Sequence, residues 1–109
     1  MTQEIKVQVS GGNVFADLGL ENSDELLVKA ELARKISSII TKQHITQAEA
    51  AELLGIDQPK ISALMNGKLS GFSTVRLFRF LNALGRDVEI VVKAKPKSRS
   101  QAQTRVVAS

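Results

Sequence analysis

The sequence predicts a mostly α-helical single domain of about four to five helices, with a short strand near each end. Three observations carry that expectation. Between residues 23 and 43, apolar side chains recur every three or four positions, the period of a helix with one buried face. Between 46 and 86, cap-forming residues and glycines cut the chain into further short helices. At 5–9 and 88–94, apolar and polar residues alternate, as in a half-buried strand. A chain of 109 residues suits one domain with tails.

Taken in order, Ile5, Val7 and Val9 alternate with Lys6 and Gln8, and Ser10-Gly11-Gly12 closes the strand. The segment 13-NVFADLGLEN-22 is apolar without a clear period, so Phe15, Leu18 and Leu20 must be buried against this chain or a partner. Asn22 to Glu25 reads as a helix start, with a cap-type residue followed by acids in the first turn. The helix runs from about Ser23 to about Gln43, and Leu26, Ala30, Ala33, Ile36 and Ile40 lie along one face.

Thr46-Gln47-Ala48-Glu49 has the form of a capping box, in which hydroxyl and carboxylate each accept from the other residue's amide. The helix it opens ends at Gly55, a residue suited to the left-handed conformation at a helix end. Asp57 can cap the next helix, and Pro59 is tolerated there because first-turn amides have no intrahelical acceptor to lose. That helix stops at Asn66-Gly67. After a break at Ser70-Gly71, Ser73 to Ala83 forms another, with Val75, Phe78, Leu81 and Leu84 on one side and Gly85 at its end. The run 87-DVEIVVKAK-95 reads as the second strand, and 96-PKSRSQAQTRVVAS-109 as a mobile basic tail. The expected divisions are thus 1–22, 23–86, 87–95 and 96–109.

Charge is unevenly spread. Residues 1–31 hold six acids and two bases, whereas residues 32–109 hold five acids and thirteen bases. The split points to two surfaces with different partners, the basic one compatible with nucleic acid. There is no cysteine, so no disulfide framework or thiolate metal site arises, and a reducing cytoplasm fits. Neither a secretory leader nor an apolar run of membrane-spanning length is evident, so no membrane partner is expected. His44 is the single histidine. With no Cys or second His to complete a site, and no His or Lys constellation near Ser37 or Ser38, neither a cofactor nor an enzyme is expected. Phe72, Phe78 and Phe80 fall at helical spacing, which favours core over base stacking.

The break at 53-LLGIDQPKIS-62 decides the functional reading. Two short helices joined by a few residues with Gly at the corner make a helix-turn-helix. Ala51 permits close crossing, while Ala50, Leu54, Ile56, Ile61 and Leu64 supply the contacts. The second helix is left with Gln58, Lys60, Ser62 and Ala63 on its outer face, and Gln and Lys suit base edges and phosphates. The run 46-TQAEAAELLGIDQPKISALMNGK-68 resembles the Cro/repressor (Xre-type) helix-turn-helix family, carried by Gln47, Ala51, Gly55, Ile56, Ile61, Ser62, Asn66, Gly67 and Lys68.

That resemblance implies a lambda-repressor-like bundle whose second motif helix enters the major groove of a palindromic double-stranded operator, two half-sites being read by a homodimer. It implies base readout by Gln58, Lys60 and Ser62, and phosphate contacts by Gln47, Asn66 and Lys68. Two departures stand out. Met65 replaces the acid that many members carry before Asn-Gly, and Ala63 is too short for a base hydrogen bond. The flanks are similar to HigA-type antitoxins of toxin–antitoxin modules, which implies autorepression of the operon and neutralisation of an mRNA-cleaving toxin. A basic ribonuclease toxin would then meet the acidic N-terminal segment through Val7, Val9, Val14, Phe15 and Leu18. Finally, strand 88–94 would expose an edge if left alone. It is expected to pair across a dimer through Val88, Ile90 and Val92, pairing with residues 5–9 being the competing arrangement.

Overall fold

The computed structural model describes residues 4–8 and 22–107. Strand β1 (Glu4–Gln8) is followed by helices α1 (Asn22–Lys42), α2 (Gln47–Leu54), α3 (Gln58–Met65) and α4 (Thr74–Ala83), then strand β2 (Glu89–Lys93). The described residues therefore form four helices and one two-stranded antiparallel ribbon. The expected toxin-contact residues Val9, Val14, Phe15 and Leu18 lie outside the described residues.

α1 is the central pillar, and α4 packs along it. The core gathers Val28, Leu32, Ala33, Ile36, Ile39 and Ile40 from α1, then Ala50, Ala51, Leu54, Ile61 and Leu64 from the middle helices. Phe72, Leu77, Phe78, Phe80, Leu81 and Leu84 complete it. Burial of such side chains out of water is the main favourable term, about 1.5–3 kcal/mol for each large one. Of the face expected on α1, Ala33, Ile36 and Ile40 are buried, and only its N-terminal part departs. Leu26 is 63% exposed, and Ala30 is exposed as well. Apolar residues at 26, 27, 28, 30, 32 and 33 allow overlapping stripes of helical period, and packing against α4 selects the one through Val28 and Leu32. On α4 the inward face is Leu77, Phe78, Phe80 and Leu81, and Val75 is only half-buried.

The C-terminal strand takes the competing arrangement, pairing within the chain. β2 pairs with β1 of the same chain, in a register that sets Ile5 opposite Val92 and Val7 opposite Ile90. Val88 and Ile90 are half-buried and pack against this chain's own core. Of the three residues assigned to dimerisation, only Val92, 45% exposed, is left facing out. A lone hairpin is marginal in water, and contact with the helical core is what a two-stranded ribbon needs. Residues 96–107, expected as a tail, include Val106, which packs against the core beside Leu27 and Val28 of α1.

Candidate nucleic-acid interface

The interface is assembled from the ends of α2, α3 and α4. At the start of α2, the Thr46 hydroxyl accepts from the Glu49 amide and a Glu49 carboxylate oxygen accepts from the Thr46 amide, both at 3.1 Å. This reciprocal cap satisfies two amides that the helix leaves without partners. It also holds the Glu49 carboxyl below its usual carboxylate range, chiefly through the bond from the Thr46 backbone and next through the Thr46 side chain. Gln47, the first helical residue, is exposed beside the cap.

The corner follows from its sequence. Gly55 adopts φ 71°, and the Ile56 amide donates to the Ala51 carbonyl at 2.9 Å, closing α2. Two residues later the Asp57 side chain accepts from the Lys60 amide at 3.0 Å and opens α3. Inside the angle, Ile61 and Leu64 are fully buried against Ala50, Ala51 and Leu54. Small alanines let the two helices approach closely. With Ile61 and Leu64 inward, helical geometry sends Gln58 and Lys60 outward, and both are exposed.

Not every expected reader is equally free. Ser62 and Ala63 are half-buried, and the Ser62 hydroxyl accepts from the Asn66 side-chain amide at 3.4 Å. Two residues assigned separately, one to bases and one to phosphates, therefore touch one another. The pair spans four positions of helix, a spacing that brings side chains together. At the end of α3, Gly67 has φ 76° and the Lys68 amide donates to the Ala63 carbonyl at 2.9 Å, leaving Asn66 and Lys68 exposed in the turn. Met65 packs against the core, as its apolar side chain favours.

Sequence reading missed Arg76. It stands in the first turn of α4, where its amide donates to the Ser73 hydroxyl at 3.1 Å. Its guanidinium carbon lies 5.7 Å from the ring centroids of both Phe72 and Phe80. The signal available was a cation in the first turn of a helix, where the macrodipole favours acids. Two ion pairs lie on α1, Glu25 with Lys29 and Glu31 with Arg34. Lys60, Lys68 and Arg76 have none among the described residues. The face is thus positive, rich in donors, and without a cluster of residues that could hold a metal ion among the described residues.

Comparison with known proteins follows the same line. A family model for a helix-turn-helix domain matches residues 14–93. A solved structure named "Putative XRE Family Transcriptional Regulator" is 48% identical, with a TM-score of 0.78, and the match covers 82% of this chain and 100% of that one. The chain belongs to the XRE-type helix-turn-helix family. No curated protein matches the sequence. As an XRE-type protein, it carries its motif on α2 and α3, and the motif leaves Gln58 and Lys60 exposed. No helix among the described residues is long and apolar enough to cross a membrane.

Proposed function

We propose that this XRE-type protein is a homodimeric transcriptional repressor that reads double-stranded DNA in the major groove with α3 and represses by occluding a promoter. The observation that carries the reading is the exposure of Gln58 and Lys60 at the start of a helix whose opposite face, Ile61 and Leu64, is fully buried. Gln58 reads a base edge, and a glutamine can bond an adenine through two atoms at once. Lys60 reaches a base or phosphate beside it. Gln47, Asn66 and Lys68 bind phosphates on either side, and Ser62 acts through its bond with Asn66 as well as at the groove.

Replacing Gln58 with Ala tests the base-reading role. Affinity for an operator drawn from DNA upstream of the gene should fall by roughly 1–3 kcal/mol, with discrimination lost at one base pair of each half-site. Equal loss on operator and scrambled duplexes would refute that role.

The finer reading is that the protein is an antitoxin, repressing its own operon and neutralising a basic ribonuclease that cleaves mRNA. Its support is the acidity of residues 1–31, set against the basic remainder of the chain. A small basic ribonuclease-like reading frame beside the gene, whose product co-purifies with this protein, is the expected result. With no such neighbour, the protein is a stand-alone regulator. A protein with good toxin binding but no shift of upstream DNA would instead be chiefly an interaction module.

A further inference from the structure

Arg76 carries no role in the reading above, yet its surroundings prepare it for an anion. We propose that Arg76 is a DNA-backbone contact, a guanidinium pre-positioned by two aromatic rings to bind a phosphate beside those held by Asn66 and Lys68. The inference rests on the DNA-binding reading and adds a residue to it.

The geometry comes first. Phe72 and Phe80 meet edge to face, with centroids 5.9 Å apart at 77°. Arg76 lies within 5.7 Å of both centroids, so its head group is held by the rings rather than swinging freely. Phe72 closes the next turn after the one that holds Asn66 and Lys68, its amide donating to the Leu69 carbonyl at 3.0 Å. The cradle thus fixes a donor-bearing side chain at the start of α4, the helix that follows Asn66 and Lys68 in the chain.

Electrostatics then favours an anion outside the chain. Arg76 is half-exposed and has no carboxylate partner among the described residues. It occupies the first turn of α4, which contains no acid, where a cation is opposed by the helix dipole. A residue chosen only to cover Phe72 and Phe80 needs no charge, since an apolar stem of the same length does that work. A planar guanidinium does suit phosphate, which it can engage with two parallel N–H donors. Stacking on the rings leaves those edges available and lowers the entropy lost on contact.

The test is a salt titration of affinity for two duplexes of equal length, one from upstream of the gene and one scrambled. Arg76→Met keeps the apolar stem over the rings and removes the charge. It should retain the melting temperature, weaken both duplexes by the same factor, and reduce the slope of log K against log salt by about 0.9 per bound chain. Arg76→Lys should restore the slope while leaving affinity below wild type, and it serves alone if the Met variant fails to fold. A Lys variant whose slope falls by the same amount would overturn the inference. Wild-type binding with an unchanged slope in Arg76→Met would overturn the arginine contact alone. Absence of any salt-dependent duplex binding by the wild type would overturn both that contact and the DNA-binding reading.

Discussion

Four described residues have positive φ, and each closes a helix in the same manner. His44 stands at 56°, Gly55 at 71°, Gly67 at 76° and Gly85 at 81°. In every case the next amide reaches back to a carbonyl five residues earlier: Ile45 to Ile40, Ile56 to Ala51, Lys68 to Ala63 and Arg86 to Leu81. Glycine enters this conformation without a steric cost, whereas a side chain costs about 1–2 kcal/mol there. His44→Gly should therefore stabilise the fold by roughly 0.5–1 kcal/mol, after the greater chain entropy of glycine is subtracted. Gly55→Ala should cost about 1 kcal/mol through the backbone alone, because a Cβ at Gly55 would meet nothing within 4 Å. Urea denaturation measures both, and a destabilised His44→Gly protein would contradict the account. Three of these ends were legible as glycine. The fourth was not, since nothing about a histidine announces a left-handed residue.

At the scale of elements, both motif helices are short, eight residues each, and isolated helices of that length are marginal in water. Their caps and their shared apolar seam hold them. The Thr46–Glu49 box makes this testable through pH. Because the folded Glu49 carboxyl titrates lower than it does in the unfolded chain, its contribution is fully present above the unfolded value. That contribution is lost as pH falls through the folded value. Glu49→Gln can still accept from the Thr46 amide but cannot titrate. The stability of the wild type relative to Glu49→Gln should thus decline as the solution is acidified below the usual carboxylate range. Denaturation midpoints that run parallel across that range would exclude a role for the charge. The box, the glycine corner and the Asp57 cap could all be read from residue types at fixed offsets, because caps and turns are local chemistry.

At the scale of the whole molecule, the proposed homodimer needs a surface on which two copies meet. An XRE-type repressor reading two half-sites must hold its recognition helices about 34–36 Å apart. Among the described residues β1 covers one edge of β2 and no strand covers the other, so a second copy could extend the ribbon to four strands. Val91 and Val92 are 40% and 45% exposed on that strand. Symmetric pairing would bring the two copies of β2 side by side, where like charges are unfavourable. Val92→Lys is expected to sediment as a monomer at concentrations where the wild type is dimeric, and to lose tight operator binding. A dimeric Val92→Lys protein would place the interface elsewhere.

By itself, the sequence determined the local grammar of this protein. Helix ends, the corner at Gly55, the outward position of Gln58 and Lys60, and the alternation of Val88, Ile90 and Val92 all follow from periods and caps within a few residues. Tertiary structure decided what those patterns pack against. Leu26 and Val28 both suit a helix stripe, and only contact with α4 chose between them. Val88 and Ile90 suit any apolar surface, and the chain's own core took them. Arg76 became a candidate only once Phe72 and Phe80 were seen around it. Periodicity records which side of an element is apolar, while the choice of partner depends on contacts between residues far apart in the chain.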